Sequence, residues 1–364
     1  MTLLYTTDAF AVWGGMERVL ADKMNYLAEQ YGYNVSLLTI NQGDHLVPFS
    51  LSSRVKHIDL GVRMHQQYSY RGIRRLLKRR QLANLLLTRL KDAIFQLNPD
   101  VIICVKLDFV GILNKVSGNI PFIVESHTLC NAEQFECLGW LRRIFIGRQK
   151  HYIRKANAVV ALTESDSNDW RDYNQNVVVI PNVVHLNTTN RITNYREKSI
   201  IFVGRFTKQK GFDSLLRIWS IVYSRHPDWT LDIYSDGDIA APGIRTFKPI
   251  ADIQEKYCSS SLLLLTSLFE PFGLVMPEAM SCGLPVVAFD CPYGPADIIT
   301  DGVDGFLVKN RDINEFADRV CLLIEDKVLR VKMGKAAVKS AQRYRADVIM
   351  PKWKELFESL CPQE

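Results

Sequence analysis

The sequence predicts an α/β fold built twice, as two consecutive parallel sheets each covered by helices. Three observations carry this. Short apolar runs of strand length alternate with amphipathic segments of helix length along the whole 364-residue chain. The alternation pauses at Pro181-Asn182-Val183-Val184 and restarts at Ser199. Runs such as Leu262–Leu265 lack a polar face, as strands buried on both sides do. At 47% hydrophobic and 23% charged residues, the composition is that of a globular chain with room for two domains. The expected division is 1–183, 184–344, and a terminal segment 345–364 whose Trp353 and Phe357 suit a helix packing back toward the first domain.

In the first half, Leu3-Leu4-Tyr5 opens a strand. Gly14-Gly15-Met16-Glu17-Arg18 follows at a loop-to-helix junction, and Val19, Leu20, Met24 and Leu27 share one face of that helix. Further strands are expected at Asn34–Ile40, Ser53–Leu60, Asp100–Val105, Ile120–Glu125, Ala158–Leu162 and Val177–Pro181. His127 stands just past the strand ending at Glu125, on the edge where ligands bind in such sheets; a structural histidine fits that position equally well.

In the second half, strand Ser199–Val203 leads into Gly204-Arg205-Phe206-Thr207-Lys208-Gln209-Lys210-Gly211. A helix carrying Leu215, Leu216, Ile218 and Trp219 follows, then strand Thr230–Tyr234. Asp236-Gly237-Asp238 reads as a turn in preference to a metal-binding pair. After Leu262–Leu265 come the loop Ser267–Gly273, a helix over Leu274–Ser281, and strand Leu284–Phe289. Pro277 is compatible with a helix only in its first turn. Strand Phe306–Val308 and helices at Ile313–Ile324, Val328–Arg343 and Arg345–Leu360 complete the chain.

The loop-to-helix junction at Thr266–Ser281 concentrates the chemistry. The first N–H groups of a helix have no internal partners and receive anions. Gly273 allows close backbone approach, Glu278 lies within reach of a ribose, and Glu270 is placed to accept from sugar hydroxyls. A plain crossover with two solvated glutamates is the structural alternative. Neither half has Gly-x-Gly-x-x-Gly after a strand or a phosphate-binding loop ending in Gly-Lys-Ser/Thr, which argues against dehydrogenase and P-loop chemistry.

Charge is unevenly spread. Residues 1–185 hold 22 Lys/Arg against 16 Asp/Glu, and residues 186–364 hold 23 of each. On a helix, Arg71, Arg74, Arg75, Lys78 and Arg79 share a face, with Ile73, Leu76, Leu77 and Leu85 roughly opposite. Such a segment suits an anionic membrane surface; a solvated face is the alternative. Arg142–Lys155 is a second cationic stretch. Aromatic residues for base stacking are too few around Arg71–Arg80 to suggest nucleic acid. Met1–Thr7 lacks a basic leader, and no apolar run approaches the ~20 residues of a membrane span. The eight cysteines show no Cys-x-x-Cys and no zinc spacing, with Cys130 and Cys137 the closest upstream pair, so reduced thiols are expected.

Four motifs together resemble family 4 of the retaining glycosyltransferases, which have the GT-B architecture of two Rossmann-like domains facing a central cleft. They are Gly14–Arg18; Val203-Gly204-Arg205 with Lys210-Gly211; Glu270 to Glu278; and Gly294–Ile299 with Asp304–Val308. The set is most similar to bacterial transferases of capsule, exopolysaccharide, O-antigen and lipid-linked oligosaccharide synthesis. The resemblance implies that Arg205 and Lys210 clamp the donor diphosphate and that Gly15 lets the first domain approach it. It also implies that Glu278 takes the ribose and Glu270 the transferred sugar, with N–H groups of Phe272, Gly273, Leu274 and Val275 assisting. His127 is implied near the reacting end of the sugar. The 236–238 region lacks a Gly-Pro common in the family, which leaves base recognition there open.

The expected function is transfer of a hexose or N-acetylhexosamine, with retention, from a nucleotide-sugar, UDP-sugar foremost, to a lipid-linked saccharide. The expected location is the cytoplasmic face of the cell membrane, with contact through Arg71–Arg80 and Arg142–Lys155, and with no resident cofactor and no obligatory metal. The alternatives are a sugar-nucleotide hydrolase, epimerase or phosphorylase of the same fold, or a non-catalytic sugar-nucleotide-binding protein.

Overall fold

The structure, a computed structural model, describes residues 1–131, 140–186, 191–250 and 252–361, with the side chains of 141 and 142 excepted. Cys137 and the Arg142 side chain therefore lie outside the described residues. The chain forms two compact units. Unit 1 comprises Met1–Leu162, Asp166–Val183 and the chain from Ile349 onward; unit 2 comprises Thr163–Ser165 and Val184–Val348.

Unit 1 contains strands β1 (Thr2–Thr7), β2 (Asn34–Thr39), β3 (Val55–Asp59), β4 (Val101–Cys104), β5 (Phe122–Glu125), β6 (Ala158–Ala161) and β7 (Val177–Val179). They form one sheet in the order β3-β2-β1-β4-β5-β6-β7, and every pairing is parallel. Strands β4, β5 and β6 are buried at each position. Helices therefore cover both faces, which is why these strands read as continuous apolar runs. Leu4, Ile102, Val124, Val159 and Trp170 lie in the core. Helix Ala346–Leu360 adds buried Trp353 and Phe357, with ring centroids 5.6 Å apart.

Unit 2 contains β8 (Ser199–Val203), β9 (Thr230–Tyr234), β10 (Ile244–Phe247), β11 (Leu262–Leu265), β12 (Val286–Asp290) and β13 (Gly305–Lys309), in the parallel order β10-β9-β8-β11-β12-β13. Its core includes Phe202, Leu215, Trp219, Leu264, Phe289 and Phe316. The sequence reading did not single out β10. It is a half-exposed edge strand with little apolar signal, pinned by Arg245, whose Nε and Nη2 donate to the two oxygens of Asp232 at 2.6 and 2.7 Å.

Strand order reverses between β1 and β4 in unit 1, and between β8 and β11 in unit 2. Loops leaving the carboxyl ends of strands at such a point diverge and leave a crevice. Gly15 and Arg205–Lys210 follow β1 and β8, and Glu270 follows β11.

Candidate active site

In unit 2 the site is built on three loops. The first leaves β8 as Gly204–Thr207, closes into a short turn at Lys208–Lys210, and reaches Gly211 at φ +66°. A Cβ on Gly211 would lie 2.0 Å from the Thr266 carbonyl oxygen, so only glycine fits. Thr266 Oγ1 donates to the Lys210 carbonyl at 3.0 Å, and Leu268 N donates to the Gln209 carbonyl at 2.7 Å. These bonds fasten the Lys210 backbone to the end of β11. The Lys210 stem lies against Gly204, and its Nζ pairs with Glu270 Oε2 at 2.7 Å.

Glu270 is buried, and its Oε2 also accepts from Ser267 Oγ at 3.0 Å. Its backbone bonds the third loop, donating to the Pro292 carbonyl and accepting from Gly294 N at 2.8 Å. Gly294 abuts the Phe272 carbonyl so closely that a Cβ would sit 2.2 Å from it. Gly273, at φ +89°, turns the chain beside the Glu270 stem and starts the helix Val275–Ser281. The N–H groups of Phe272, Gly273, Leu274 and Val275 have no acceptor among the described residues. Pro277 sits in the first turn, where its missing N–H costs nothing. Glu278 is half-buried one residue further on.

The structure thus brings Lys210, Glu270 and Gly273 together with Phe272–Val275. Arg205 is exposed at the tip of the first loop, where its charge helps to lower the Asp236 carboxyl. Ser267 was missed in the sequence; its signal was its place three residues before Glu270 in a loop read for its Pro and Gly. Asp236 accepts from Phe206 N, which holds its carboxyl below the usual range, and Asp238 pairs with Lys248 at 3.0 Å. The first bond fastens the loop carrying Arg205 to this turn, and the second ties the turn to Lys248. The family-like Asp304 further on is also structural: it is buried and accepts from Thr300 N at 2.8 Å and from Ser340 Oγ at 2.6 Å.

In unit 1, Gly15 is exposed at the start of helix Gly15–Gln30, after Gly14 in extended conformation. His127 behaves differently from an open cleft residue. Its side chain is 4% exposed, and its Nε2 lies 2.9 Å from Glu125 Oε1. The same oxygen is paired with Lys23 Nζ. Burial alone raises the Glu125 carboxyl, but the Lys23 and His127 charges outweigh it and hold it at about 2. An ionised carboxylate only accepts, so Nε2 carries the proton facing Glu125, and Nδ1 is the nitrogen left for any other partner. Lys23 lies 3.9 Å over the Trp353 ring and 5.2 Å from that of Tyr5. Burial, partly offset by Glu125, lowers its ammonium. The packing of Trp353 toward the first domain is as the sequence suggests, with its ring under Lys23, whereas the Lys23–Glu125 pair was missed in the sequence. For Lys23 a signal existed, since it falls at i+3 and i+4 from Leu20 and Val19, inside the apolar stripe.

The basic helix spans Gly72–Leu97. Its first turns are largely exposed, with Arg75 4.8 Å over the Tyr68 ring: Ile73, Leu76 and Leu77 are 74%, 65% and 63% exposed among exposed Arg74, Arg75, Arg79 and Arg80. Leu85 departs from the expectation. Seven residues after Lys78, it stacks two turns along on the basic side. In the second stretch, a helix over Trp140–Ile153, the cations do not share one outer face. Lys150 is buried and donates to Asn131 Oδ1 at 3.0 Å, whereas Arg143, Arg154 and Lys155 are exposed.

Comparison with known proteins identifies the family and the fold. The sequence model of the family described as "Glycosyltransferase Family 4" matches residues 13–188, and that of "Glycosyl transferases group 1" matches 197–326. The chain is 26% identical to an uncharacterised glycosyltransferase of Haemophilus influenzae over 94% of this chain and 96% of that one. It is also 26% identical to the amylovoran biosynthesis glycosyltransferase AmsD of Erwinia amylovora, over 98% and 99% of the two chains. Among solved structures it is similar to TarM (TM-score 0.81, 17% identity, 98% of each chain). It is likewise similar to HepE of Anabaena in complex with UDP and glucose (TM-score 0.74, 18% identity, 99% and 100% of the chains). These likenesses show the GT-B fold.

Proposed function

We infer the reaction from one premise, that the chain belongs to the family 4 glycosyltransferases. Within that activity, we propose transfer of a hexose or N-acetylhexosamine from a UDP-sugar to a lipid-linked saccharide acceptor in cell-surface polysaccharide synthesis. The observation that carries the donor half is the Lys210–Glu270 pair beside the acceptorless N–H groups of Phe272–Val275. An ammonium has three N–H donors. One meets Glu270, which leaves two for diphosphate oxygens, with the Arg205 fork and the loop amides as further donors. Glu270, held by Lys210 and Ser267, accepts from hydroxyls of the transferred sugar, and Glu278 accepts from the ribose.

The bond that breaks joins the sugar anomeric carbon to a phosphate oxygen, and its electron pair leaves with the nucleoside diphosphate. Arg205 and Lys210 stabilise the charge that develops there. The acceptor oxygen attacks from the same face, giving retention, and its proton passes to the departing phosphate. His127 contacts the sugar through Nδ1, with Glu125 fixing the ring. Cationic side chains supply the positive charge, so activity persists in chelator.

UDP is favoured by the solved HepE complexes with UDP and with UDP-glucose, and polysaccharide synthesis by the name of AmsD. No helix among the described residues is long and apolar enough to cross a membrane. The exposed Arg71–Arg80 turns, with Ile73, Leu76 and Leu77 between the cations, suit the cytoplasmic face of an anionic bilayer.

The test is turnover of UDP-sugars with membrane-extracted acceptor. Lys210→Ala and Glu270→Ala each lower transfer at least ~100-fold, the scale of removing one group aimed at a developing charge, while the fold is retained. Near-normal turnover in either variant removes these roles. UDP release that is indifferent to acceptor would favour a hydrolase.

A further inference from the structure

Unit 1 contains a cavity of about 780 Å³ that neither the reaction nor the family motifs explain. It lies at the carboxyl edge of the sheet: Asp8 follows β1, Asn41 follows β2, and Lys106 and Asp108 follow β4. One wall is the basic helix, through Arg79 and Leu87, and another is the helix Trp140–Ile153, through Arg148 and Tyr152. This is the edge from which Gly15 and His127 also project.

Two properties of the lining point to one class of ligand. Arg79, Lys106, Lys115 and Arg148 face it without a carboxylate partner among the described residues. Against these four cations the lining has two carboxylates, and Asp8 is occupied with Asn41 Nδ2. Such an excess of positive charge attracts phosphate. The other half of the wall is apolar, with Leu86, Leu87, Phe109, Ile112 and Phe145. A site for a small anion needs no such wall, and the volume is that of a site for a drug-sized molecule. The basic helix that forms one side runs on into the exposed Ile73, Leu76 and Leu77.

We propose that this cavity binds the phosphate-bearing, apolar-tailed end of an amphiphilic acceptor. The four cations take the phosphate, the aromatic and aliphatic wall takes the start of the chain, and the tail leaves along the basic helix toward the bilayer. This rests on the lipid-linked acceptor proposed above, but it is tested by binding alone.

The experiment is titration calorimetry of the intact chain with UDP, and then of the UDP-saturated chain, whose donor diphosphate site is filled, with farnesyl diphosphate and inorganic pyrophosphate. Farnesyl diphosphate binds at least ~10-fold more tightly than pyrophosphate, because each chain methylene buried adds to the affinity. Lys106→Ala and Arg148→Ala each weaken it about 10-fold, the scale of one lost charge-assisted bond. UDP affinity stays unchanged in both variants, and binding to phosphatidylglycerol vesicles stays unchanged in Lys106→Ala. Equal affinity for pyrophosphate and farnesyl diphosphate overturns the proposal. So does farnesyl diphosphate binding that survives both variants, or that falls only when Arg74, Arg75 and Lys78 are changed to Glu. Loss of UDP binding in the unaltered chain would instead count against the donor half of the proposed reaction, leaving the cavity result intact.

Discussion

Glu125→Gln tests the buried cluster of unit 1. The substitution keeps shape but removes the anion paired with Lys23, whose side chain is 2% exposed and whose ammonium sits 3.9 Å over Trp353. A buried ion left without its partner costs about 3–5 kcal/mol. At ~2–4 °C per kcal/mol for a unit of this size, the unit 1 melting transition falls by roughly 6–20 °C. The loss depends on pH with a definite sign. Without Glu125 the folded-state ammonium is lowered further still, so the folded protein binds fewer protons than the unfolded one. The variant therefore recovers stability as pH rises through the folded-state value of Lys23. Lys23→Met combined with Glu125→Gln restores most of the loss, since an uncharged pair has no desolvation to offset. Differential scanning calorimetry between pH 6 and pH 10 reads all three variants. A Glu125→Gln protein that melts within a degree or two of the parent across that range refutes the reasoning.

Further outcomes follow from the same geometry. Gly211→Ala sets a Cβ 2.0 Å from the Thr266 carbonyl and holds alanine at φ +66°; the backbone conformation alone costs ~1–2 kcal/mol, and displacement of Lys210 raises the Kd for UDP by calorimetry. In acid, the parent loses about 3 kcal/mol as Glu125 protonates, because its folded value of about 2 lies below the ordinary 4.5. That contribution is complete above pH ~4.5 and fades as pH falls toward 2, which a urea-melt series across that range detects. Changing Arg74, Arg75 and Lys78 to Glu abolishes flotation with phosphatidylglycerol vesicles at low salt, and unaltered flotation would remove the basic helix from the membrane account.

What the sequence disclosed follows from how local each feature is. The Leu262–Leu265 run, the two βα-alternating halves and the Lys210-Gly211 step are written in neighbouring residues, and short-range sterics enforce them. Glu270 and Gly273 were legible because loop, glycine and helix start fall within a few positions. The Lys23–Glu125 pair was not, because its members stand 102 residues apart and meet only when the first helix packs on the sheet. Trp353 reaches Lys23 from the chain's far end. His127 was placed on the right edge, but its burial and its bond to Glu125 depend on that same tertiary closure. The Arg142–Lys155 stretch looked uniformly cationic because sequence cannot show that Lys150 turns inward to Asn131.

The most direct test of the account is a crystal structure of the protein with UDP or an unreactive UDP-sugar. The expected complex has diphosphate oxygens within hydrogen-bonding distance, about 2.7–3.2 Å, of the Arg205 guanidinium, Lys210 Nζ and at least one N–H of Phe272–Val275, with the sugar hydroxyls against Glu270. A nucleotide seated away from that turn, with Arg205 and Lys210 both facing bulk water, would contradict it.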